Sequence, residues 1–104
     1  MEVEINAGDG VRRSDALDGH VHEALRRLGR RFGDRLTRVR VFLKDVNARK
    51  GGIDKVCSME ARPAGAEPVG VEAQDADVYR AVGRAADKLE KAVGHRMACA
   101  AARE

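Results

Sequence analysis

The sequence predicts an α+β domain of order β-α-β-β-β-α, a four-stranded sheet with two helices packed on one face. Three observations carry the prediction. Leu36 to Asp45 alternates apolar and polar residues with the period of a half-buried strand. Leu17, Val21, Ala24, Leu25, Leu28 and Phe32, and again Val78, Val82, Ala85, Leu89 and Val93, recur at the spacing of one helix face. The length, 104 residues, suits one small core and is too short for two.

Each element follows from local chemistry. Glu2-Val3-Glu4-Ile5-Asn6 alternates and reads as the first strand, ended by the glycines at 8 and 10. Ser14 offers an N-cap with Asp15 in the first turn, and the helical run continues until Gly33-Asp34. In the second strand Val39, Val41 and Leu43 share one face while Arg38, Arg40, Phe42 and Lys44 share the other. Asn47 to Gly52 is a polar, glycine-rich connection, and Asp54 to Arg62 returns as a third strand with Cys57, Met59 and Ala61 inward. Pro63 to Ala66 makes a turn. Val69, Val71 and Ala73 mark a fourth strand, with Pro68 near its start as an edge position tolerates. Asp75 or Asp77 caps the second helix from about Val78 to Val93, and Gly94 is expected to end it. The expected organisation is one domain over residues 1–94 and a short tail over 95–104.

A strand, a helix and a strand form a right-handed parallel crossover, and the remaining strands form an antiparallel meander. Both helices then cover the same sheet face, and their polar sides point outward together. Arg26 and Arg30 lie opposite the apolar stripe of the first helix, with Arg27 and Arg31 toward one flank. On the second helix Arg80, Arg84, Lys88 and Lys91 form a basic stripe. Like charges at i,i+4 destabilise an isolated helix by about 0.2–0.5 kcal/mol per pair. Within the helix that is a local cost without folding benefit, and it suggests an anionic partner. The two groups are expected to join as one basic surface.

The net charge is only +3, but residues 1–52 carry 12 Lys/Arg against 8 Asp/Glu while 53–104 carry 8 against 9. A positive excess gathered in one region is the footprint of a nucleic-acid or acidic-surface binder, weighed against a merely solvated face. Phe32, Phe42 and Tyr79 are the only aromatics, which disfavours reading single strands by base stacking and leaves recognition by charge and shape. No stretch approaches a membrane span and the start lacks a secretory pattern, so a cytoplasmic location is expected.

Chemistry is not apparent in the remaining residues. His20 and His22 are i,i+2 on a helix and point about 200° apart, unsuited to one metal ion. His95 and Cys99 are i,i+4, but a site needs about four ligands. Cys57 reads as a small core residue, and both cysteines as free thiols. Asp77 and Tyr79 read as a cap and a partly buried ring. Neither Gly51-Gly52 nor Gly8-x-Gly10 has the spacing of a phosphate-cradling loop. No catalytic residue, metal or cofactor is predicted, and no enzyme activity.

The run from Gly70 to Val82, with its acidic-apolar-Tyr start, and the Asp87-Lys88-Leu89-Glu90-Lys91 segment resemble the hibernation-promoting factor and ribosome-associated inhibitor family. Support comes from Ser14-Asp15-Ala16-Leu17, from Leu25-Arg26-Arg27-Leu28 where the family has a basic Lys/Arg-Leu repeat, and from Arg38 to Leu43. The Ile53 to Glu60 segment departs from the family's commonest sequence, and Gly19 and Gly29 each weaken the first helix by about 1 kcal/mol relative to Ala, which points to a divergent branch. The resemblance implies a double-stranded-RNA-binding-like fold and a short form without the second domain of long members.

By function, it implies a translation inhibitor that binds ribosomal RNA of the small ribosomal subunit and blocks the messenger RNA and tRNA channel under stress. The implied contacts are Arg26, Arg27, Arg30 and Arg31 on the first helix and Arg80, Arg84, Lys88 and Lys91 on the second. Apart from the resemblance, the expected protein is a monomer or weak dimer with no membrane or small-molecule partner. The alternative is a stress-associated adaptor of the same fold that binds an acidic protein surface or another structured RNA.

Overall fold

The structure, a computed structural model, describes residues 1–8, 10–46 and 54–102. The Asn47 to Gly52 connection lies outside them. The elements are β1 (Glu2–Ala7), α1 (Asp15–Ala24), α2 (Arg26–Phe32), a 3-10 turn (Gly33–Arg35), β2 (Leu36–Asp45), β3 (Lys55–Pro63), β4 (Val69–Asp75) and α3 (Val78–Ala102). The strands lie in the order β1-β2-β3-β4, with β1 parallel to β2 and the other pairs antiparallel. This is the predicted crossover followed by a meander, with both helical layers on one face.

Alternation set the strand faces as the pattern required. Val39, Val41 and Leu43 of β2 and Cys57, Met59 and Ala61 of β3 are all buried, opposite one another in register: Val39 with Ala61, Val41 with Met59, Leu43 with Cys57. They meet Leu17, Val21, Leu25, Leu28 and Phe32 from the first helical layer and Ala81, Val82, Ala85, Leu89 and Val93 from α3 in one core. Ser14 caps α1, its Oγ accepting from the Leu17 amide at 3.1 Å. Asp75 and Asp77 both serve at the start of α3: Asp75 Oδ1 accepts from the Asp77 amide at 3.0 Å and Asp77 Oδ1 from the Tyr79 amide at 2.9 Å. The first of these bonds holds the Asp75 carboxyl below its ordinary pKa, and Arg80 and Arg84 add to the effect.

Two predicted helices differ from the observed ones. The first is broken at Leu25, which leaves helical geometry at φ −90°, ψ 1° while Leu25 still donates to Val21 and accepts from Gly29. Residues on both sides of the joint, Val21 and Leu28, remain buried. The second does not stop at Gly94 but runs to Ala102, so most of the expected tail is helix. Gly94 has no positive φ, and a Cβ there would lie 3.6 Å from Phe32 Cζ: the glycine marks a close approach, not a cap. Beyond it Met97 packs against the core, and Arg96 Nη1 donates to the Glu67 and Pro68 carbonyls at 3.1 and 3.3 Å.

Candidate nucleic-acid interface

All eight predicted contact residues are exposed on the outer side of the helical layer. They do not form one unbroken basic surface. On the α2 side, Arg27 and Arg31 turn toward α3 and bracket Glu90, with Nη1 to Oε distances of 3.6 and 3.9 Å. Arg26 pairs with Glu23 at 3.2 Å in an exposed i,i+3 contact that adds little stability. A groove of about 260 Å³ separates the two helices, with Ala24, Leu28 and Ala86 among its lining residues. Arg26, Arg27 and Arg30 line it together with Glu23, Asp87 and Glu90. The expected single surface is therefore two basic arcs with an acidic seam between them.

On α3 the stripe divides again. Arg84 Nη1 donates to the Gln74 carbonyl, at 2.6 Å, and sits 3.6 Å from Asp75. Lys88 Nζ donates to the Glu72 carbonyl at 2.9 Å. Both acceptors belong to β4, the last strand in the sheet order, whose outer edge offers backbone groups that no neighbouring strand pairs among the described residues. The judgement that the i,i+4 cations have no folding benefit is thus corrected: two of the four seal a sheet edge. Arg80 and Lys91 lie on the outermost side of the helix by its 100° periodicity.

The sheet's other face is a charge ladder. Arg38 pairs with Glu2 at 3.6 Å and Arg40 with Glu4 at 3.2 Å, each across the parallel β1·β2 register. Phe42 stands exposed between these pairs and Lys44. Opposite charges face one another here, so this face carries less free positive charge than the helical one.

Other predicted side chains fall as follows. Cys57 is buried, and burial pushes its thiol up to about 12. Cys99 is exposed with its Sγ 3.6 Å from His95 Nε2, and among the described residues no three His, Cys, Asp or Glu side chains converge as a metal site. His20 ties α1 to α3: its Nε2 lies 2.8 Å from the Tyr79 carbonyl, and its ring meets the Tyr79 ring edge-on at 5.0 Å. Sequence reasoning missed the β4 carbonyls, Arg96 and the enclosure of Glu90. The last leaves one signal in the sequence, the position of Arg27 and Arg31 on a flank of their helix.

Comparison with known proteins agrees with this architecture. Residues 5–98 match the family described as sigma 54 modulation protein / S30EA ribosomal protein. The crystal structure of the Thermus thermophilus Protein Y N-terminal domain superposes with a TM-score of 0.71 at 30% identity, covering 88% of this chain and 93% of that one. A ribosomal subunit interface protein from Coxiella burnetii gives a TM-score of 0.75 at 20% identity, covering 94% and 99% respectively, and shows the shared fold. No curated protein matches the chain significantly. With its motifs, its fold and nearly its whole length matched, the chain belongs to the sigma 54 modulation / S30EA ribosomal protein family, the hibernation-promoting factors that its sequence resembles.

Proposed function

We propose that the protein is a ribosome-associated translation inhibitor that binds ribosomal RNA of the small subunit through its basic helix faces and obstructs the messenger RNA and tRNA channel under stress. Family membership supports the association with ribosomes. The observation that carries the finer reading is the exposure of Arg26, Arg27, Arg30 and Arg31 within one short helix on the side of the sheet that α3 shares. Guanidiniums present forks that match phosphate oxygens, and each phosphate neutralised releases counterions. The protein acts by occupancy: it needs to hold a place in the channel, and no bond is made or broken.

Co-sedimentation with purified small subunits at 50 and 200 mM salt tests the reading. Wild-type protein is expected in the ribosomal pellet at low salt, with affinity reduced roughly tenfold or more at the higher salt if three or more phosphates are contacted. A variant with Arg26, Arg30 and Lys91 changed to Glu leaves the Arg84 and Lys88 bonds to β4 intact and is expected to stay in the supernatant. Absence of the wild-type protein from the pellet overturns the ribosomal reading and leaves the adaptor. Equal binding of the variant overturns the basic helix faces as the contact.

A further inference from the structure

Glu90 is the one acidic side chain of α3 that reaches in between two arginines of α2. Its side chain is only 14% exposed, whereas those of Arg27 and Arg31 keep 71% and 55%. Charge-assisted N–H···O bonds run about 2.7–2.9 Å, and both contacts are longer, at 3.6 and 3.9 Å. Glu90 Oε2 is enclosed and accepts no hydrogen bond. The carboxylate is therefore held near two cations without engaging their forks, an arrangement that leaves an acceptor desolvated and the guanidinium N–H groups free to point outward. Arg31 is steadied from the other side, its guanidinium 4.6 Å above the Phe32 ring.

We infer that Glu90 is a built-in rival of RNA phosphate at the α2–α3 groove: it halves the net charge of the Arg27–Arg31 slot and so sets the threshold at which a phosphate is accepted there. This rests on the reading of the helix faces as an RNA contact. A slot at +2 captures any polyanion. At +1 it binds a single phosphate weakly and becomes occupied only when neighbouring contacts, such as Arg26 and Arg30, bind the same backbone. Glu90 is a positioning residue that acts through the two arginines and favours an extended, correctly shaped RNA over stray anions.

The experiment compares the full chain with E90Q. Inorganic phosphate is titrated while the Arg27 and Arg31 Nε–H signals are followed by NMR, and a fluorescent A-form RNA duplex is titrated by anisotropy at 50 and 200 mM salt. Removing one like charge some 6 Å from a bound phosphate is expected to tighten both interactions about three- to tenfold. The salt slope of duplex binding should steepen by up to about one ion. Adding R27Q to E90Q should erase the gain. Equal or weaker binding by a folded E90Q, or no response of either arginine to phosphate in both proteins, overturns the inference. Where E90Q does not fold, E90A is read with the same outcomes. Ribosome co-sedimentation separates the two claims. Intact ribosome binding with unchanged phosphate affinity removes only the role of Glu90, and lost ribosome binding with the phosphate gain intact removes only the ribosome.

Discussion

Cys57 and Cys99 show how far environment divides two identical side chains. Cys57 is sealed between β3 and the helical layer, and burial moves its thiol from an ordinary value of 9.0 up to about 12. Cys99 is exposed near the end of α3. At pH 8 a maleimide or iodoacetamide is expected to modify Cys99 alone, with Cys57 reacting only in denaturant, as mass spectrometry of the labelled chain reads directly. The same shift fixes a sign for stability. Folding keeps Cys57 neutral, so stability is full well below pH 9 and falls as pH rises toward 12, by about 1.4 kcal/mol at pH 10. Urea midpoints at pH 8 and 10 check this, and C57A should flatten the difference. The buried position of Cys57 was legible from strand alternation alone. The enclosure of Glu90 was not, because a helical pattern says which flank a residue occupies but not which neighbouring helix that flank meets.

At the scale of one element, α3 corrects the sequence twice. A helix-ending glycine adopts positive φ and resists substitution, whereas Gly94 is helical and has ordinary room for a methyl group against Phe32. Gly83 has open space around it. G83A and G94A are each expected to stabilise the protein by about 0.5–1 kcal/mol in urea unfolding. A loss of stability in G94A would restore the shorter helix. The cations follow a spacing that only the tertiary structure explains. Four helical residues rise about 6 Å and two strand residues about 6.7 Å, so Arg84 and Lys88 keep step with Gln74 and Glu72. R84Q and K88M should each lower stability by about 0.5–1 kcal/mol. Both should also raise self-association at high concentration, measured by analytical ultracentrifugation, because they expose the edge of β4.

For the whole molecule, the order of elements was readable because periods of 2 and 3.6 residues alternate cleanly along the chain, and one parallel crossover with a meander is the simplest way to bury every apolar stripe. The basic surface was less readable. Its charges were visible, but their counter-charges come from other elements: Glu90 for Arg27 and Arg31, and β4 for Arg84 and Lys88. The segment after Gly94 belongs to the fold through Met97 and Arg96. Truncation from His95 onward is accordingly expected to lower unfolding stability by about 1–2 kcal/mol, checked by denaturant titration. An unchanged midpoint would make that segment dispensable. Arg96, Lys88 and Arg84 fasten to Glu67 and Pro68, to Glu72 and to Gln74 in turn along β4 and the residues before it. Tension applied at the C-terminus therefore loads these fasteners one after another, like a seam unpicked stitch by stitch, so α3 is mechanically weakest when peeled from the end that sequence reading took for a tail.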